Sequence, residues 1–129
     1  MENFNSLGLN KDIIRNLTNL KLIKPTPIQS KAIEPALQGR DILGSAHTGT
    51  GKTAAFGIPL IQKLIENRNL SALILTPTRE LANQVHLSIL DILGKKINIK
   101  SSLIIGGESM KKQVNQLKIF PRIIIGTPG

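Results

Sequence analysis

The chain has 129 residues, 40% of them apolar, and its 17 Lys and Arg against 8 Asp and Glu give a net charge of +9. This composition predicts one domain with a buried core and excludes a disordered chain. A membrane-embedded chain is excluded too, because no apolar run approaches the roughly 20 residues of a spanning helix. The chain has no cysteine and no signal-peptide pattern, so we expect neither disulfides nor thiolate metal sites, and a cytoplasmic location.

The positive charge leaves two interpretations open. A basic excess of this size favours polyanionic partners, nucleic acid above all, but a lysine-rich surface that serves solubility has the same composition. The chain has no Trp or Tyr and only three Phe. Binding through aromatic base stacking is therefore not expected.

The first part of the chain predicts two helices. The first covers residues 11–21 after an Asn10 cap, and its apolar residues recur at helical spacing: Ile13, Ile14, Leu17 and Leu20. The second covers residues 27–37 and ends before Gly39. Between them, residues 24–30 read KPTPIQS. Thr26, Pro27 and Gln29 fit a capping box, which needs no ligand, but Gln29 could instead contact a group outside the chain.

The rest of the chain alternates strands and helices. Strands are predicted at 42–46, 71–77, 97–107 and 122–129. Helices are predicted at 52–66 and at 109–118. A further helix, marked by six apolar residues, is predicted after Pro77. The strands are continuous apolar runs, which predicts an α/β fold with a parallel sheet and helices on both faces. Each strand ends in a small, polar or glycine-rich loop. Since ligands bind at the carboxyl ends of parallel strands, we expect the candidate sites at one edge of the sheet.

Residues 46–53, AHTGTGKT, differ from the Walker A pattern only by Ala46 in the first glycine position. Glycines at 49 and 51 let successive backbone N–H groups converge on phosphate oxygens, and the following helix directs its positive end to the same anion. Lys52 adds a cation, and the Thr53 hydroxyl can enter a Mg²⁺ shell. The loop therefore predicts a nucleoside triphosphate site.

Five ordered motifs resemble those of the DEAD-box ATP-dependent RNA helicases, over the chain from Phe4 to Gly129. They are KPTPIQ for the Q motif, AHTGTGKT for motif I, PTRELA (77–82) for motif Ia, Gly106–Gly107 for the GG pair and TPG (127–129) for the start of motif Ib. The resemblance implies a P-loop, RecA-like sheet that is incomplete at the C-terminus. Residues 1–129 would be the N-terminal part of a helicase ATP-binding domain, with the Q motif region at about 2–30.

The resemblance also implies residue roles. Gln29 would pair with the adenine edge, because an amide donates and accepts at once, and the catalytic contacts to the phosphates and Mg²⁺ would come from Lys52 and Thr53. The residues implied for ATP are Phe4, Leu22, Thr26, Gln29, Ala46, His47, Thr48, Gly49, Thr50, Gly51, Lys52 and Thr53. Those implied for the RNA backbone are Pro77, Thr78, Arg79, Glu80, Gly106, Gly107, Thr127, Pro128 and Gly129.

Three positions depart from the family pattern, and one residue pair has a simpler interpretation. The family usually has glycine and an aromatic residue where this chain has Lys21 and Leu22, and glutamine where it has His47. Leu22 still offers adenine an apolar wall, without a π-face. From Arg79 and Glu80 alone, an ion pair on a helix surface is the simpler interpretation.

The acidic residue that ATP hydrolysis requires is missing: the chain has no adjacent acidic pair, and its three Asp residues do not follow a strand. We therefore expect an ATP-dependent RNA helicase whose hydrolysis and unwinding need motifs after Gly129, including a second RecA-like domain. The alternative is a stand-alone ATP- and RNA-binding module without turnover. A nucleotide kinase or another P-loop ATPase shares GKT but not PTPIQ or PTRELA.

Overall fold

The computed structural model describes residues 3–46 and 51–128. Its helices are α1 (Lys11–Asn19), α2 (Pro27–Leu37), α3 (Lys52–Glu66), α4 (Arg79–Leu93) and α5 (Met110–Leu117), after a short 3₁₀ turn at Phe4–Leu7. Its strands are β1 (Ala72–Leu75), β2 (Ser101–Ile104) and β3 (Ile123–Gly126). Across these residues, no helix is long and apolar enough to cross a membrane.

The three strands form one parallel sheet in the order β1-β3-β2, which confirms the predicted α/β class. Ala72 of β1 and Ser101 of β2 both pair with Ile123 of β3. At the other end, Leu75 and Ile104 both pair with Gly126. Because the strands are parallel and in register, the loops that follow them meet at one edge of the sheet.

One face of the sheet carries most of the core. Ile74, Ile123 and Ile125 are buried there, and α4 crosses the same face, where His86 Nε2 lies 3.0 Å from Ser101 Oγ. On the opposite face, α5 packs beside β2, and Ser102 Oγ donates to the Gln116 carbonyl oxygen at 3.3 Å. Leu73 and Leu75, which point to that second face, are 65% and 58% exposed.

The prediction of a strand at 42–46 is wrong. Residues Asp41–Ala46 have no regular secondary structure, and the side chains of Ile42 and Leu43 are exposed. A short apolar run becomes a strand only where a neighbouring strand supplies backbone hydrogen bonds. Within the described ranges no strand pairs with this segment. Periodicity could not reveal this, because it shows the apolar run and not its partner.

Helix α1 ends in a left-handed turn that places Lys21 in an unfavourable conformation. The N–H of Leu22 donates to the carbonyl oxygen of Leu17 at 2.8 Å, and the N–H of Lys21 to that of Thr18 at 2.9 Å. These two bonds define a Schellman motif, whose residue after the C-cap is usually glycine. Here that residue is Lys21, with φ of 63°. The turn thus explains a glycine preference at position 21 and brings Leu22 onto the core.

Replacing Lys21 with glycine is expected to stabilise the chain by about 1 kcal/mol, because the left-handed conformation costs a residue with a Cβ roughly that amount. The free energy of unfolding from urea titration measures the effect. Lys24→Gly is the matched control: Lys24 is an exposed lysine of the same loop without a positive φ, and its replacement should bring no gain. Equal effects of both variants would contradict this reading of the turn.

Candidate functional site

Gln29 links the start of α2 to the start of α3. Its Oε1 accepts from the Thr26 N–H at 3.0 Å, and its Nε2 donates to the Gly51 carbonyl oxygen at 3.1 Å. The first bond is the return half of a capping box. The second crosses to the residue before Lys52. With its side chain only 2% exposed, Gln29 therefore holds two chain segments together from a buried position.

Gly51 is the N-cap of α3, with φ of 84° in the left-handed region. A Cβ at this position would overlap Gln29 Nε2 and lie 3.1 Å from Thr26 Oγ1. Both the backbone conformation and the space favour glycine. The glycine predicted for phosphate approach is thus also required by the contact with Gln29.

A cavity of about 550 Å³ opens beside this junction. Five predicted nucleotide residues line it: Leu22, Gln29, Gly51, Lys52 and Thr53. Lys52 is exposed and Thr53 half-buried at the positive end of α3. The structure therefore brings an apolar wall, an amide, an ammonium group and a hydroxyl to one cavity.

The other predicted nucleotide residues that the structure describes do not line this cavity. Phe4 is buried in the hydrophobic core and does not line the cavity. Thr26 does not line the cavity but donates its N–H to Gln29, which does, and Ala46 belongs to the irregular segment before α3. His47, Thr48, Gly49 and Thr50 lie outside the described residues.

The resemblance missed the opposite wall of the same cavity. Helix α4 contributes its residues Leu81, Gln84, Ser88, Asp91 and Ile92. The signal was present in the sequence, because polar residues 84, 88 and 91 share one helical face. None of the five motifs includes them, so only the packing of α4 beside α3 reveals their position.

The predicted RNA-binding loops are joined by Arg79. Its Nη1 donates to the Gly106 carbonyl oxygen at 3.3 Å. Gly107 has φ of 84°, and a Cβ there would overlap the same Nη1. The ion pair between Arg79 and Glu80, the simpler sequence interpretation, is not among the ion pairs of the described residues. The arginine at the start of α4 therefore lies against the glycine pair after β2.

Two further contacts order this edge. Thr78 caps α4, with its Oγ1 accepting from the Leu81 N–H at 3.1 Å. The N–H of Thr127 donates to the Ile104 carbonyl oxygen at 3.4 Å, and the N–H of Thr76 to that of Gly126 at 2.9 Å. Pro77, Glu80 and Pro128 are exposed nearby, whereas Gly129 lies outside the described residues. The loops after all three strands thus form one continuous surface.

Residues 26–129 match the family model for DEAD/DEAH box helicases. The chain is 46% identical, over 98% of its length, to the DEAD-box ATP-dependent RNA helicase RhpA of Helicobacter pylori, and covers 25% of that protein. To the ATP-dependent rRNA helicase RRP3 of Saccharomyces cerevisiae it is 49% identical over 99% of its length, covering 26% of it. It thus spans about a quarter of the length of these curated relatives.

A solved structure shows the same fold. The crystal structure of a DEAD box protein from the hyperthermophile Methanococcus jannaschii matches with a TM-score of 0.88 and 44% sequence identity. The match covers 98% of this chain and 35% of that one. The family match extends over most of the chain, and the relatives and the solved fold agree with it. This chain therefore belongs to the DEAD/DEAH box helicase family.

Proposed function

We propose that this chain is the ATP-binding and RNA-backbone-binding segment of an ATP-dependent RNA helicase. The observation that carries the proposal is the shared cavity of Leu22, Gln29 and Lys52 at the start of α3. An apolar wall and an amide suit a purine base, and an ammonium group at a helix N-terminus suits phosphates. The relatives named as ATP-dependent RNA helicases support the same assignment.

In this proposal each group of the cavity has a separate task. Leu22 packs against the base, Gln29 offers its remaining hydrogen-bonding capacity to the base edge, and Lys52 pairs with the outer phosphates. Mg²⁺, when bound with ATP, neutralises phosphate charge. The hydroxyl of Thr53, beside Lys52 and on the cavity wall, would supply one oxygen ligand to that Mg²⁺.

We propose that hydrolysis and unwinding belong to a longer protein with a second RecA-like domain. The 129 residues contain no adjacent acidic pair, and across the described residues no group of His, Asp or Glu could hold a metal ion. The relatives are about four times as long as this chain, which favours a helicase segment over a stand-alone binding module. RNA-stimulated ATP hydrolysis by the full-length protein tests this part.

Lys52→Ala is expected to weaken ATP binding by about 1.5–3 kcal/mol, the range for a hydrogen bond to a charged group. Titration of fluorescent ATP onto the chain in Mg²⁺ measures the change. Lys63→Ala is the matched control, because Lys63 lies on the same helix but does not line the cavity beside Gln29. The ATP proposal fails if the wild-type chain shows no binding at millimolar nucleotide, or if both variants bind equally well.

Gly107→Ala is expected to weaken single-stranded RNA binding by about 1–2 kcal/mol, because the added methyl group displaces the Arg79 guanidinium from its place beside Gly106. The dissociation constant is measured at several salt concentrations, and the salt dependence should also become shallower. Gly8→Ala controls for backbone strain, since Gly8 has φ of 70° but no atom within 4 Å of an added Cβ. Equal RNA affinities of the two variants would contradict the assignment of this surface.

A further inference from the structure

The cavity beside Gln29 has a polar wall that no motif explains. Gln84, Ser88 and Asp91 occur at positions i, i+4 and i+7 of α4, so they lie on one face of the helix. Ser88 is half-buried, and Gln84 and Asp91 are exposed. This face is directed to the same space as Lys52 and Leu22.

The described part of the fold does not use these three side chains. The core is filled by a neighbouring stripe of α4, namely Ala82, Val85, Ile89, Ile92 and Leu93. Within residues 3–46 and 51–128, no side-chain hydrogen bond or ion pair involves Gln84, Ser88 or Asp91. No described residue therefore occupies their hydrogen-bonding groups, which can serve a ligand in the cavity.

The negative charge of Asp91 favours the nucleoside part of such a ligand as its neighbour. A carboxylate repels a triphosphate, whereas the positive charge of Lys52 attracts the phosphates. In the proposed ATP site, Leu22 and Gln29 face the base. The part of the nucleotide between base and phosphates is the ribose, whose hydroxyls donate hydrogen bonds to carboxylates in other nucleotide sites.

We propose that Asp91, assisted by Ser88, accepts hydrogen bonds from the ribose hydroxyls of the bound nucleotide, so that α4 selects ribonucleotides over deoxyribonucleotides. The inference rests on the proposed ATP site and adds to it a wall that selects the sugar of the nucleotide. A carboxylate on a helix packed beside the phosphate-binding helix is well suited to this task, because its position is set by the core stripe and not by a loop.

The test compares ATP with 2′-deoxy-ATP and 3′-deoxy-ATP on the wild-type chain and on Asp91→Ala. The wild-type chain should bind at least one deoxy analogue about tenfold or more weakly than ATP, the size of one lost hydrogen bond to a charged group. Asp91→Ala should bind ATP and that analogue within about twofold of each other. Ser88→Ala should reduce the discrimination in part.

Asp12→Asn is the matched control for the loss of one negative charge, since Asp12 lies on α1 and does not line this cavity. It should retain the full discrimination. If the wild-type chain binds all three nucleotides equally, or if Asp91→Ala discriminates as strongly as the wild type, the ribose assignment is overturned while the ATP site stands. If the wild-type chain binds no ATP, the proposed function itself fails. A far-UV circular dichroism spectrum identical to wild type shows that each variant is folded.

Discussion

Gln29→Ala is expected to lower the free energy of unfolding by about 2–3 kcal/mol and ATP affinity about tenfold at the same time. The alanine leaves the Thr26 N–H and the Gly51 carbonyl oxygen without their partner. The first loss weakens the start of α2, and the second frees the residue that precedes Lys52. Urea titration measures the stability, and ATP titration at a temperature where the variant is folded measures the affinity.

Two further variants separate the functions of Gln29. Gln29→Glu keeps an acceptor for Thr26 but places a carboxylate oxygen against the Gly51 carbonyl oxygen. Its loss in the free energy of unfolding should therefore be smaller than its loss in the free energy of ATP binding. Gln38→Ala removes an exposed glutamine at the end of α2 and should change neither quantity. If Gln29→Ala changes stability alone, Gln29 is only a cap. If it changes affinity alone, neither the bond to Thr26 nor the bond to Gly51 contributes to stability.

Arg122→Ala is expected to lower the free energy of unfolding by about 3 kcal/mol, and Tm by on the order of 10 °C. The Arg122 guanidinium donates to the carbonyl oxygens of Leu64, Asn67 and Leu70 at 2.7–3.1 Å. These carbonyls belong to the end of α3 and the loop before β1. A cation there also faces the negative end of the helix dipole. Thermal unfolding followed by circular dichroism measures the loss.

Arg122→Lys should recover less than half of the stability, because an ammonium group cannot reach three carbonyl oxygens in the geometry of a planar guanidinium. Arg68→Ala, the removal of an exposed arginine in the same loop, should change the free energy of unfolding by less than about 0.5 kcal/mol. If Arg122→Ala and Arg68→Ala are equally stable, the three carbonyl bonds contribute no net stability.

Most of the fold could be predicted from local patterns. Helix α2 has the predicted bounds, and the structure confirms helix α3 at 52–66 and shorter versions of the last three predicted strands. Such patterns report which residues are apolar and where a helix is capped. The segment at 42–46 failed because strand formation depends on a partner that is distant in sequence. The same limit applies to Leu73 and Leu75, which are exposed on the second face of the sheet. A local pattern shows that these residues are apolar and does not show what would cover them.

The candidate site was predictable where a known ligand chemistry requires one residue type. Glycine at 51 and lysine at 52 follow from phosphate chemistry, and the cavity includes both. The sequence could not decide whether Gln29 is a cap or a ligand contact, because both uses need an amide at the same place. The structure shows the cap and a bond to Gly51. Contact with adenine stays a prediction. The wall formed by α4 depends on tertiary packing, which no local motif reports.

The contact between Gln29 and Gly51 also constrains how the chain can change over evolution. The amide of Gln29 occupies the space that a Cβ at position 51 would need. A larger residue at 51 is therefore harmful while Gln29 is present, and part of that harm disappears once position 29 is small. What remains is the intrinsic strain of a positive φ. The two positions, 22 residues apart in sequence, are thus epistatic, and the order in which they mutate determines which intermediates remain viable.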